Sequence, residues 1–482
     1  MSNKIALIDI GSNSVRLVVY DCTCFIPAII FNERALCALG ADLESTGNLS
    51  LEGLELAKYA LRRFIAIARK CDEIKIFATS AVREAKDGKN FAKYIEDSHG
   101  VKVSVLTAEE EARFSALGVA SAVMDAAGIV GDLGGGSLEL AEILQGEVMS
   151  TCSFPIGSLR FQKYSNHQSL SDLLHGFFDQ SDLVKKLRGA NFYAVGGGFR
   201  VLAKAHIECV SYPIKILHNY RVPAEELLAS LSRMMSSPIK IAGVSSKRAS
   251  MIPAAAAILA ALIEAGEPSG VVFSNYGIRQ GILFDSLSIS PNKSDLLLAG
   301  CLDTVGRERI EYSECLHSWL DIFLKDTSQT KKRISLAACY LSEIACKHHD
   351  KYKAQYAFYS VAELPLLCID HDSRIFLALA LFHRYQANIG SELANIVSLL
   401  DTKDVHLARV LGLAMRLAYA LSAGSEEVLA SSKLATQDGS LVLKLKPEIQ
   451  DLLGEAVQKK LSALATSLNL VGEFSITSDL DL

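Results

Sequence analysis

The pattern of apolar and polar positions opens on two strands. Residues 4–9 (KIALID) form an apolar run that stops at Asp9 and read as a buried strand. Ile10 to Ser14 read as a turn and Val15 to Asp21 as a second strand, so the chain begins with a hairpin. Ser50 then precedes a helical repeat in which Leu54, Ala57, Leu61, Ile65 and Ala68 share one face. Strands are predicted over Ile74 to Thr79 and Val101 to Leu106. Thr107 starts a helix, with Thr107 and Glu110 at capping-box spacing. A second hairpin is predicted over 128–144, and a strand over Asn191 to Val195 that ends at Gly196-Gly197-Gly198. Phe199 to Ala205 read as helix, and Met251 to Ala265 as an alanine-rich core helix. Strand Val271 to Ser274 runs into Tyr276-Gly277-Ile278-Arg279-Gln280-Gly281. Residues 289–294 have the composition of a linker. Helical periods then dominate to about residue 430. A short strand pair is expected around Gly439 to Lys446, a last helix over about 448–467, and a loose tail.

The two hairpin turns repeat each other. Asp9-Ile-Gly-Ser-Asn-Ser14 and Asp132-Leu-Gly-Gly-Gly-Ser137 share the pattern D-(I/L)-G-x-x-S, each between apolar strands. Two copies of a strand–turn–strand unit predict a duplicated domain and not a solenoid.

Composition narrows the class. Of 482 residues, 50% are hydrophobic and 21% charged, which fits a packed globular protein. The formal charge of −5 argues against a general nucleic-acid binder, so a polyanion would need a local basic groove. Eleven cysteines without a framework suit a reducing compartment. The start does not read as a signal peptide, and Ala254 to Ile263, the longest apolar stretch, is too short to span a bilayer. The expectation is a cytosolic chain with no membrane and no nucleic-acid partner.

The Asp–Gly turns are the leading chemical candidates. Phosphate needs backbone N–H donors at close range, and glycine permits that approach. Gly11, Ser12 and Asn13 in the first turn, and Gly134, Gly135, Gly136 and Ser137 in the second, supply such groups. A single copy would read equally well as an ordinary hairpin turn. Asp9 and Asp132 close their strands, where two carboxylates could hold a cation through water or orient a nucleophile. Glu139 lies two residues beyond Ser137 on the same side of its strand, and Arg16 holds the equivalent place in the first copy. Glu109, Glu110 and Glu111 open a helix, where the dipole favours acids in any case. Arg83 follows a strand end and offers bidentate donors. Gly197, within a helix-opening triplet, and Arg279 are weaker phosphate candidates. In the last third, His348-His349-Asp350 reads as a solvated helix face, because adjacent helical residues do not share a face.

Together these segments resemble the Ppx/GppA family of exopolyphosphatases and guanosine pentaphosphatases. The resemblance rests on IDIGSNSVRL (8–17), ATSAVREAKDG (78–88), LTAEEEARFSALG (106–118), VGDLGGGSLEL (130–140), AVGGGFRVLAK (194–204) and SNYGIRQGIL (274–283), in the family's order. It implies an α/β fold: a duplicated actin-like, ribonuclease H-like two-lobed unit, with lobes at 1–122 and 123–290. A mainly α, HD-like domain is expected over 295–482. It also implies that Glu111 is the catalytic base and that Asp132 and Glu139 serve catalysis and metal. Asp9, Gly11, Ser12, Asn13, Arg83 and Gly134 to Ser137 would line the phosphate wall, and Mg²⁺ would be the cofactor. Ala337 to Ala345 stand where an HD-like domain would carry its His-Asp pair, and no such pair is there. The helical region would instead extend the substrate groove, with Lys331, Lys332, Arg333, Lys347 and Lys351 as candidate contacts, or form a homodimer contact.

The expected reaction is release of orthophosphate from the ends of inorganic polyphosphate. Guanosine pentaphosphate (pppGpp) is the alternative substrate, since the motifs do not separate the two. A sugar-kinase-type enzyme shares the turns but lacks a recognisable sugar-binding segment here. A polyphosphate or alarmone sensor without turnover is the non-enzymatic alternative.

Overall fold

The computed structural model describes residues 3–157, 167–236, 244, 249–287, 295–386 and 388–480. The chain forms two compact units, Met1–Asp295 and Leu296–Leu482. The expected linker at 289–294 lies outside the described residues.

The first unit holds two sheets of one design. In the first, β1 (Lys4–Ile10), β2 (Ser14–Asp21) and β3 (Ala28–Leu36) form an antiparallel meander. β4 (Glu73–Ala78) and β5 (Val103–Val105) add in parallel, giving the order β3-β2-β1-β4-β5. In the second, β6 (Gly128–Leu133), β7 (Leu138–Leu144) and β8 (Glu147–Phe154) repeat the meander. β9 (Asn191–Val195) and β11 (Gly270–Phe273) repeat the parallel pair, and β10 (Tyr220–Pro223) adds an antiparallel edge, giving β10-β11-β9-β6-β7-β8. The shared core order shows that the second sheet repeats the first. Strands β3, β8 and β10 have no counterpart in the sequence reading. β3 is an edge strand with mostly exposed residues, so it carries no apolar run to reveal it.

Burial explains why these segments take these forms. Ala6, Ile8 and Ile10 of β1 pack with Ala57, Leu61, Phe64, Ile65 and Ala68, the buried stripe of helix Leu51–Ala68. The opposite face of β1 and β2, with Ile5, Leu7 and Val18, is covered by Leu106, Ile282 and Leu283. The helix Ile278–Leu287 thus returns from the second sheet to cover the first. It also crosses the helix Ala108–Ala120 at close range: a methyl on Gly118 would collide with the Gly277 carbonyl, and one on Gly281 with the Phe114 carbonyl. Glycine at both positions lets the two backbones touch, which fixes the two site-bearing helices against each other.

The second unit is mainly helical up to Ala430, around the helices His371–Tyr385 and Thr402–Ser422. The latter is apolar and long enough to cross a membrane by length and composition, but most of its apolar stretch is buried inside the unit. A hairpin of β12 (Ser432–Gln437) and β13 (Ser440–Leu445) turns at Asp438-Gly439, both at positive φ, the type I′ preference of that dipeptide. β14 (Val471–Ile476) pairs in parallel with β13 and was not anticipated, because most of its side chains are exposed. The last helix is Glu455–Ser467 and does not begin near 448; Pro447 starts a separate 3₁₀ segment and Gly454 caps the helix.

Candidate active site

The two Asp–Gly turns fold identically. Gly11 N–H donates to the Ser14 carbonyl at 3.0 Å, and Gly134 N–H donates to the Ser137 carbonyl at 2.9 Å. Strand register completes the equivalence: Asp9 faces Arg16 across β1 and β2, and Asp132 faces Glu139 across β6 and β7. The turns also meet. Ser12 Oγ and Ser80 Oγ lie 3.0 Å apart, and a methyl on Gly136 would stand 3.2 Å from Ser80 Oγ. One cleft therefore takes backbone donors from both sheets.

Acidic groups gather on the side of the second turn. The capping box of Thr107 and Glu110 starts the helix as the spacing predicted. One residue on, Glu111 turns inward and is 8% exposed. Arg83 Nη1 donates to Glu111 Oε2 and to the Leu106 carbonyl, both at 2.9 Å, while Nη2 lies 4.0 Å from Glu139 Oε1. Arg83 thus bridges the two glutamates instead of making a surface pair. Burial pushes the Glu111 carboxyl up to about 7; Arg83 opposes the rise, and Asp132 and Asp9 add to it. Glu139 is 1% exposed and is raised well above the ordinary carboxylate range, first by burial and then by the charge on Glu111. Its Oε1 accepts from Ser153 Oγ at 3.3 Å, whereas its Oε2 has no hydrogen-bond partner. Asp132 accepts a short hydrogen bond from Ser115 Oγ, and burial raises its pKa.

Basic groups lie beside both turns. Arg279 Nη1 lies 2.9 Å from Asp9 Oδ2, joining the helix Ile278–Leu287 to the end of β1. Arg200 Nε donates to the Gly196 carbonyl at 2.9 Å. Burial and then Arg279 hold Arg200 down to about 9, against the pull of Asp132. Gly196, at φ 95°, lies against the Asp132 carboxylate and the Leu133 backbone, so only glycine fits there. Gly197 opens into free space, with nothing within 4 Å of where its Cβ would stand.

The cleft thus brings together Glu111, Asp132, Glu139, Arg83, Asp9, Arg279 and both turns. Sequence reasoning missed Ser80, Ser115, Ser153 and Arg200. Ser115 was legible, since it lies four residues beyond Glu111 on one helix face, and Arg200 lies four beyond Gly196 in the same way; Ser80 and Ser153 are set by tertiary contacts. Among the described residues no three His, Cys, Asp or Glu side chains are grouped to hold a metal alone. The donor set fits a hard cation of the Mg²⁺ type, which takes one or two carboxylates and fills its other positions with water and phosphate. The partnerless Glu139 Oε2 is the observation behind that fit.

Two other regions carry less. A cavity of about 670 Å³ is lined by Cys152, Phe154, Phe177 and Lys186, whereas Ser153, between the first two, bonds Glu139. It therefore opens on the face of β8 away from the carboxylates. In the second unit, Lys331 binds Asp404 at 2.5 Å and sits over the Phe376 ring, and Arg333 donates to the Cys368 carbonyl. Both are engaged inside the unit, which corrects their reading as contacts for a polyanion. Lys347 and Lys351 remain exposed.

The profile of the Ppx/GppA phosphatase family matches residues 18–289, and a profile described as exopolyphosphatase, C-terminal, matches residues 304–473. Retrograde regulation protein 2 of Saccharomyces cerevisiae is 24% identical over 437 residues, covering 80% of this chain and 73% of its own. Exopolyphosphatase 1 of Mycobacterium leprae is 26% identical over 324 residues, covering 63% of this chain and 96% of its own. A crystal structure of an exopolyphosphatase from Cytophaga hutchinsonii superposes with a TM-score of 0.54 at 23% identity, covering 59% of this chain and 98% of its own. The Aquifex aeolicus Ppx/GppA family member gives 0.52 at 23% identity, covering 61% and 100%. These structural likenesses speak to the fold.

Proposed function

The chain belongs to the Ppx/GppA phosphatase family, and on that footing we propose that it hydrolyses terminal phosphoanhydride bonds of inorganic polyphosphate and releases orthophosphate. The observation that carries the reading is Glu111: a buried carboxylate raised to about 7, held by Arg83 and facing a cleft lined by two glycine turns. A base poised near neutrality suits proton abstraction from water.

The residues divide the work. Backbone amides of Gly11 to Asn13 and Gly134 to Ser137 hold the terminal phosphoryl oxygens. Glu111 orients the attacking water and accepts its proton. Arg83, 2.9 Å from Glu111 and 4.0 Å from Glu139, keeps both carboxylates aimed into the cleft and offers a guanidinium to the phosphoryl group. Positioning and charge stabilisation of this kind account for most of the acceleration in phosphoryl transfer. Asp132 and Glu139 would hold a divalent cation, Mg²⁺ in this proposal, which neutralises charge on the phosphate oxygens when bound.

Long polyphosphate and pppGpp, offered in parallel with release of orthophosphate as the readout, test the substrate. The expected result is faster release from polyphosphate. Preference for pppGpp would assign the nucleotide instead, and tight binding of either without release would make the protein a sensor.

A further inference from the structure

Two serine hydroxyls reach the carboxylates assigned above to a divalent cation, and each takes one oxygen and leaves the other. Ser115 Oγ donates to Asp132 Oδ2. The second oxygen of Asp132, Oδ1, stands on the Gly196 side, where a methyl on that glycine would meet it at 2.5 Å. Ser153 Oγ donates to Glu139 Oε1 at 3.3 Å, and Arg83 Nη2 lies 4.0 Å from that same oxygen. Glu139 Oε2 is buried and has no hydrogen-bond partner. The two hydroxyls come from unrelated elements. Ser115 is 1% exposed on the helix Ala108–Ala120, one turn beyond Glu111. Ser153 is exposed on β8, the edge strand of the second sheet, directly opposite Glu139 in register.

Solvation of the acids alone does not account for this division. A buried oxygen left without a donor costs about 1–3 kcal/mol, yet Ser153 and Arg83 both turn to Glu139 Oε1 while Oε2 stays bare. Carboxylates with one oxygen held and one oxygen bare match the needs of a small octahedral ion. Mg²⁺ takes oxygens at about 2.0–2.1 Å, keeps several waters and uses one or two carboxylates. Ca²⁺ takes about six to eight oxygens at about 2.3–2.6 Å, and it reaches that number in part by gripping a carboxylate with both oxygens. Such a grip needs both oxygens turned to one ion, and an oxygen turned to a serine is not.

We infer that Ser115 and Ser153 are positioning residues that limit Asp132 and Glu139 to one coordinating oxygen each, and so tune the site toward Mg²⁺ and against Ca²⁺. This assignment rests on the hydrolytic reading above and deepens it, from which acids hold the cation to how many of their oxygens do. Neither serine touches the reacting atoms; each acts through the carboxylate it holds.

The test is displacement of Mn²⁺, a probe read by electron paramagnetic resonance, from the full chain by Mg²⁺ or by Ca²⁺, for wild type, Ser115→Ala, Ser153→Ala and Ser153→Thr. Wild type should release Mn²⁺ to Mg²⁺ at a lower concentration than to Ca²⁺. Loss of a group that orients a metal ligand typically costs about 10–100-fold in affinity. Ser115→Ala is therefore expected to weaken Mg²⁺ about tenfold and Ca²⁺ less than about threefold, because the freed oxygen of Asp132 becomes available for a two-oxygen grip. Ser153→Ala should shift the ratio the same way but less, since 3.3 Å is long for a hydroxyl donor. Ser153→Thr keeps the hydroxyl on a strand, where threonine is favoured, and should restore the wild-type ratio. Equal weakening of both ions, an unchanged ratio, or a wild type that prefers Ca²⁺ or holds no Mn²⁺ overturns the inference. Ser153 is exposed, so its two variants carry the test if Ser115→Ala does not fold. Failure of wild type to release orthophosphate from tripolyphosphate in Mg²⁺ would sink the hydrolytic reading alone, because the displacement needs no turnover.

Discussion

Glu111→Gln is expected to abolish phosphate release and, at the same time, to stabilise the protein. The carboxyl of Glu111 is lifted from 4.5 to about 7, with burial as the largest cause and the favourable contact with Arg83 already counted against it. A rise of about 2.5 units corresponds to about 3 kcal/mol by which the fold disfavours the charged form, at about 1.36 kcal/mol per unit. Gln has the shape of the neutral acid and keeps an oxygen for Arg83. Because the folded pKa lies above the unfolded one, the native state binds more protons between the two values, and wild type loses stability as pH rises through that window. Glutamine does not titrate. Its advantage is therefore absent below about pH 4.5 and complete above about pH 7. For a unit of 295 residues, an unfolding entropy of about 2.1 cal/mol/K per residue converts about 3 kcal/mol into about 5 °C of Tm. Thermal unfolding of both proteins at about pH 5 and about pH 8 measures the effect, and orthophosphate release measures activity, expected to fall by about 10²–10⁴ for loss of a general base. A variant that gains equally at both pH values, or is destabilised at the higher one, refutes the desolvation argument. Near-normal turnover removes Glu111 from the role of base.

Two further outcomes follow from the same geometry. Arg83→Met removes the contact that opposes the rise of the Glu111 pKa, so the acidic limb of the pH–kcat/KM profile should move upward from near 7; a limb that stays in place or moves down shows that Arg83 does not govern the base. Gly196→Ala should fail to fold or lose all activity, since its methyl meets the Leu133 backbone and the Asp132 carboxylate, whereas Gly197→Ala should fold normally because nothing lies within 4 Å. Reduced phosphate release by a folded Gly197→Ala supports its place on the substrate path, and full activity takes it out.

Local features were legible in the sequence to the extent that their cause was local. The twin turns were readable because Asp, Gly and Ser recur at fixed offsets between apolar runs, and both copies close with the same glycine-to-serine hydrogen bond. Thr107 and Glu110 announced the helix that presents Glu111. Arg279 meeting Asp9 across 270 residues depends on a helix returning to the first sheet, which no short window contains. Arg200 lies one helical turn beyond Gly196, a local spacing, but the packing of Gly196 against Asp132 that brings it to the site is tertiary. Exposed edge strands such as β3 and β14 carry no apolar run, because only one edge of each is paired. Lys331 read as a free cation, since Asp404, its partner, lies 73 positions away.

The register that sets Arg16 in the place held by Glu139 has a consequence for direction. Two like hairpins facing one cleft form a near-palindrome, which by itself would accept a linear polyanion from either end. Among the positions that differ between the copies, one exchanges sign: the first copy has a guanidinium where the second has a carboxylate. A linear polyanion in the cleft would therefore meet a guanidinium at the first turn and buried acids at the second. The duplication therefore supplies two like walls, and the exchange of sign between them gives the cleft an electrostatic direction.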